Sequence, residues 1–156
     1  MKNLYIIIMI PTLTFGQIKQ LNTVLYGDGI NSSKSRTSLE LEIQEAINFH
    51  NTIRVYQLNT LLEYDQNLSI SAKQWAENVI KTGDLDYDTN IPGSVGELLY
   101  RVDTTDEIPN YNPYLDASTY WATHAGTTTI GYDGYNSIGM GVAYGKEKVV
   151  VVARYK

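Results

Sequence analysis

The chain has 156 residues, with two histidines, His50 and His124, and no cysteine. Thiolate nucleophiles, disulfides and cysteine metal sites are thereby excluded. Imidazole titrates between pH 5 and 8, which makes the two histidines the first candidates for a general base or a metal ligand. The spacing around His50 speaks against both roles. Arg54 follows one helical turn later and opposes a second cation. Ile43, Ala46, Ile47, His50 and Ile53 recur at three and four residues, the period of one helical face. A histidine on such a stripe reads as a hydrogen-bonded scaffold group. No serine is marked as a nucleophile by a neighbouring base, and neither a glycine-rich phosphate loop nor an HExxH pattern is present.

The elements that position these groups can be read from period and punctuation. Thr37 and Glu40 have capping-box spacing and open a first helix. A second helix starts at Asp65 as N-cap, carries Leu68, Ala72, Trp75, Ala76 and Val79 on one face, and ends at Lys81 and a Gly83 C-cap. A third has Asn112 as N-cap and Pro113 at its first position, with Tyr114, Ala117, Trp121 and His124 along one side and Gly126 as the stop. Next comes "SIGMGVAY", where Ile138, Met140, Val142 and Tyr144 alternate with the small Gly139, Gly141 and Ala143. "GKEK" turns into "VVVVARY", a β-branched run suited to a central strand. Helices followed by a closing hairpin predict an α+β layered domain.

Composition sets the frame. Hydrophobic residues at 43% against 19% charged suffice for one folded core. A net charge of −5 with scattered Lys and Arg lacks the basic footprint of nucleic-acid binding. The start, "MKNLYIIIMIPTLTFGQ", has a basic Lys2, an apolar run from Leu4 to Phe15 and small residues before Gln17, so residues 1–16 are expected to be a signal peptide. That run is shorter than the roughly 20 residues that span a bilayer, so no membrane span is expected. Residues 17–36 read as a leader or loop, and 37–156 as the domain. The chain is therefore expected to be secreted or extracellular, or periplasmic or envelope-bound if bacterial. Sequons at Asn31 and Asn67 would matter only in a eukaryotic secretory pathway. Tyrosine is abundant at 13, and those in "IPNYNPY" and "GYDGYNS" could form an aromatic, hydrogen-bonding surface or be ordinary loop tyrosines with one hydroxyl in water.

Taken together, these segments resemble the CAP superfamily of cysteine-rich secretory proteins, antigen 5 and pathogenesis-related proteins, also known as SCP domains. The resemblance rests first on His50, Asn51 and Arg54, which match the helix-one signature. It continues through Leu62-Glu63-Tyr64-Asp65 and the helix with Leu68, Ala72, Trp75 and Ala76. Gly96-Glu97-Leu98, the stretch ending at Trp121, and the two closing strands follow in family order, with Met140 where many relatives have cysteine.

The resemblance implies a three-layer α-β-α sandwich with a small antiparallel sheet. It also implies a cleft that in many members holds a divalent metal between two histidines and two glutamates. The matching positions here are Tyr87, Glu97, His124 and Gly126, so the cleft is expected to be degenerate and no cofactor is expected. Asp86 or Asp88 would make it richer in carboxylates if the alignment slips by one residue. The implied function is binding of a lipid, sterol or protein partner in host interaction or defence. The alternative is a metal-dependent, protease-like hydrolase with Glu97 and His124 as an acid–base pair. Glu97 otherwise reads as a loop carboxylate that accepts backbone amides.

Overall fold

The computed structural model describes residues 38–103, 111–124 and 126–156. The expected signal peptide, the leader, the Asn31 sequon and the Thr37 cap lie outside the described residues. Helix α1 runs Ser38–Tyr56, strand β1 Glu63–Tyr64 and helix α2 Gln66–Thr82. Strand β2 (Gly96–Asp103), helix α3 (Pro113–Thr123), the one-turn helix α4 (Thr127–Ile130) and strands β3 (Ser137–Gly145) and β4 (Lys148–Tyr155) complete the order.

Helix α2 forms as its sequence predicts. Asp65 Oδ1 accepts the N–H groups of Asn67 at 2.7 Å and Leu68 at 3.0 Å, supplying two of the amides that a helix start leaves unpaired. Gly83, at φ 85°, closes the other end by donating its N–H to Val79 O. In α3, Asn112 caps Tyr114 and Leu115 in the same way. The helix stops at Thr123, earlier than expected. His124, at φ −125° and ψ −142°, leaves the helical region, and Gly126 instead starts α4.

The sheet order is β1-β3-β4-β2, with β4 in the centre and antiparallel to both neighbours. Two features depart from the expectation. The two-residue β1 pairs parallel to β3, through Glu63 with Ser137 and Tyr64 with Ile138, so the sheet is mixed. Gly96–Asp103 forms a full strand opposite β4, which puts Glu97 on a strand instead of in a loop. Glycine, glutamate and arginine in that stretch obscure its alternation.

Helices cover both faces. Val149, Val151, Ala153 and Tyr155 of β4 join Ile138, Met140 and Val142 of β3 in a core with α1 and α3. Val150 and Val152 point the other way and pack with Ala72, Ala76 and Val79 of α2. Because both faces are covered, the strand reads as an unbroken β-branched run. Each buried valine contributes about 1.5–3 kcal/mol over its exposed state. On the α2 side, a Cβ added to Gly139 would overlap the Ser69 amide, and one at Gly141 would overlap that of Lys73. The helix backbone therefore rests on the strand backbone, and Met140 N–H to Ser69 Oγ at 3.0 Å fixes the seat.

Candidate functional site

The helix-one residues form a scaffold. The carbonyl of Ala46 can only accept, so His50 Nδ1, 2.8 Å away, carries the proton. In the neutral ring Nε2 then accepts the Tyr155 hydroxyl at 3.0 Å. Burial, opposed in part by the Ala46 bond and assisted by the Arg54 charge, lowers the His50 pKa to about 4. A neutral, fully enclosed imidazole with both nitrogens engaged is neither a free base nor a ligand. Asn51 donates to Leu62 O at 3.0 Å and accepts Leu62 N–H at 2.8 Å, pairing like a strand residue. Arg54 is also fully buried, and its guanidinium donates to the carbonyls of Thr60, Ile130, Tyr132 and Tyr135.

Glu97 has a different environment from the one its loop reading implied. It faces Arg154 directly across β2 and β4, and Arg154 Nε donates to Glu97 Oε2 at 2.9 Å. Arg154 Nη2 reaches Asp88 Oδ2 at 2.7 Å and Glu97 Oε2 at 2.9 Å. The second Glu97 oxygen accepts the Asp88 N–H at 2.8 Å, so the amide-accepting part of the expectation holds. Asn90 N–H occupies Asp88 Oδ1 at 2.9 Å. The Arg154, Glu97 and Asp88 side chains are only 5%, 3% and 13% exposed, so the charges interact with little solvent screening. One cation serves two carboxylates, and their proton affinities diverge. Burial raises the Glu97 pKa and outweighs the Asp88 amide and Arg154. At Asp88 burial also acts upward, but the Asn90 amide and Arg154 outweigh it and hold the carboxyl below its usual range.

Of the remaining matched positions, Tyr87 adjoins this cluster, since the next residue in the chain, Asp88, is part of it. No hydrogen bond, ion pair or ring contact joins Tyr87, Glu97 and His124. Tyr87 is 63% exposed. His124 is exposed, not on the buried side of α3 as its spacing suggested. Its Nδ1 lies 2.8 Å from Tyr120 O, and its ring stacks on that of Tyr120 at 4.1 Å. Gly126 sits against Trp121, where a Cβ would collide with the tryptophan backbone and Cβ. Trp121 Nε1–H reaches Leu99 O at 2.9 Å and Trp75 Nε1–H reaches Asp86 O at 2.9 Å, while Tyr64 is half exposed at the parallel edge. The two indole N–H groups thus each tie a helix to another segment.

Reasoning from the sequence missed Arg154. The signal was a lone arginine interrupting the valine run, at a position that alternation assigns to a buried face. The sequence left the loop tyrosines open between one aromatic surface and ordinary loop residues, and the structure divides them. Tyr114 is core, Tyr111 and Tyr100 donate to Asp116 at 3.0 and 2.7 Å, and Tyr132 is exposed. Burial, then the bond to Asp116, raises the pKa of Tyr100 and Tyr111. Tyr132 borders an open pocket of about 460 Å³ whose other walls include Gln57, Asn59, Thr128 and Asp133.

The model of the "CAP: Cysteine-rich secretory protein family" matches residues 47–155. The chain belongs to the CAP family. Solved structures agree on the fold of this CAP domain. BmVAL-1 superposes with a TM-score of 0.65 at 14% identity, over 80% of this chain and 79% of that one. The structure of NaASP2 with Zn2+ gives 0.58 at 13%, over 80% and 82%. An outer surface protein of Borrelia burgdorferi gives 0.60 at 11%, over 78% and 96%. Comparison with curated protein sequences gives no match.

The donor set of this CAP domain does not fit a divalent ion. Zinc asks for three or four N, S or O ligands and the harder cations for several oxygens. Here the four carboxylate oxygens of Glu97 and Asp88 already accept from Arg154 or backbone amides, and the only accessible histidine is bound elsewhere. Among the described residues no group of three or more His, Asp or Glu is placed to hold a metal. No described helix is long and apolar enough to cross a membrane.

Proposed function

We propose that this CAP domain is exported and acts by binding a lipid, sterol or protein partner, without catalysis and without a resident metal. The observation that carries this reading is the engagement of Glu97. Its two oxygens accept from Arg154 and from the Asp88 amide, beside a fixed guanidinium charge that opposes a second cation, and His124 is held at Tyr120. An acid–base pair needs both groups within hydrogen-bond reach of one reacting atom. Export is supported by the basic and apolar N-terminal run and by the kinship with an outer surface protein. Binding is supported by the open pocket beside Tyr132.

The test is to express the full chain in a secretion-competent host, recover it from the medium and identify co-purifying lipids by mass spectrometry and protein partners by cross-linking. A stoichiometric lipid or partner, lost when Tyr132 and Thr128 are changed to alanine, is the expected result. Retention of the whole chain in the cytoplasm, or peptide hydrolysis abolished by His124→Ala, would overturn the reading.

A further inference from the structure

Arg154 is a buried cation held between two carboxylates that come from different parts of the chain. Glu97 is its register partner on β2, while Asp88 belongs to the segment that leaves α2 and returns to the sheet. That segment is tied down at three points. Trp75 Nε1–H holds Asp86 O, Glu97 Oε1 holds the Asp88 amide, and Arg154 holds the Asp88 carboxylate. Two of the three pass through the Arg154–Glu97 pair. Without a cation between them, the Glu97 and Asp88 carboxylates would repel each other in a poorly solvated place and the segment would lose its seat. A divalent ion would have to share oxygens that already accept from Arg154 or a backbone amide, next to a guanidinium charge that repels it. A guanidinium supplies it with a planar fork matched to carboxylates and cannot be deprotonated at any physiological pH.

We propose that Arg154 is the permanent cation of this site, docking the 84–95 segment on the sheet by a fixed charge, so that the segment's position is independent of divalent metal. The inference depends on the cluster alone and not on what the domain binds, so a failed ligand capture leaves it standing. It has a corollary. With the guanidinium removed, two adjacent carboxylates remain, and the segment should loosen and become responsive to divalent ions.

The experiment is thermal unfolding and amide hydrogen exchange of the full chain with EDTA, then with zinc, magnesium or calcium chloride. For the natural chain, unfolding temperature and exchange at Asp88 and Asn90 should be the same in every condition. In Arg154→Met those two amides should exchange about a hundredfold faster, the scale expected when a buried ion pair loses one partner. Divalent ion should then restore part of the protection. If Arg154→Met does not fold, Arg154→Lys keeps the charge without the fork, and should show faster exchange at Asp88 with no response to EDTA. A saturable zinc shift in the natural chain that EDTA reverses would overturn the proposal. So would unchanged Asp88 protection in either variant.

Discussion

His50 predicts an acid limb of stability that belongs to one residue. The imidazole is enclosed, donates through Nδ1 to Ala46 O and accepts at Nε2 from Tyr155, with Arg54 on its own helix and the Trp121 ring at 6.3 Å. In the unfolded chain it protonates near 6.5, in the folded chain only near 4. Between those values the unfolded state binds more protons, so stability rises with pH and is lost as pH falls from 6.5 to 4. The gap of 2.5 pH units at 1.36 kcal/mol each corresponds to about 3 kcal/mol, a large part of a typical domain's stability. Protonation would also force the Tyr155 hydroxyl to turn away from Nε2 as a donor. Urea unfolding of the natural chain and of His50→Gln, at intervals from pH 7 to pH 4, isolates the contribution, since every carboxylate cancels in the difference. The variant should be less stable at pH 7, and the difference should shrink by about 3 kcal/mol at pH 4. Parallel profiles would refute the reasoning.

Other substitutions probe separate elements. Gly141→Ala should cost about 1–3 kcal/mol or more in chemical denaturation, because the added methyl meets the α2 backbone at Lys73, which cannot move aside like a side chain. Asp65→Ala should cost about 1 kcal/mol by removing the cap of α2, with no change in the circular dichroism of the native state. Glu97→Ala should cost about 3 kcal/mol, as it strips a buried guanidinium of one partner, whereas exposed His124→Ala should stay within about 0.5 kcal/mol. Equal thermal shifts for these last two would mean that Glu97 is not held as described.

What the sequence made legible follows from how local each signal is. The limits of α2 were readable because Asp65 and Gly83 act within their own turns. The seat of β4 was readable because four valines in a row demand burial on both sides. Strand β2 was opaque, since Glu97 and Arg101 look like surface residues until their partners are known. Arg154 lies 57 residues from Glu97 and 66 from Asp88. Such a pairing exists only in three dimensions. The possible slip toward Asp88 pointed to the right carboxylate, but the intervening guanidinium changes a metal-like cluster into a closed ion pair. His124 was misplaced for a smaller reason: stacking on Tyr120 and the break after Thr123 override the helical period at its last turn.

Arg54 has a consequence for where such a chain can live. Its guanidinium gathers the carbonyls of Ile130, Tyr132 and Tyr135, from 76 to 81 positions along the chain, together with that of Thr60. It thereby joins the end of the first helix to the approach to β3 much as a covalent bridge would. A disulfide in that place would open in a reducing medium and would depend on an oxidising compartment to form. A cation bound to carbonyls needs neither, so the assembled domain should be indifferent to thiol reagents inside or outside a cell.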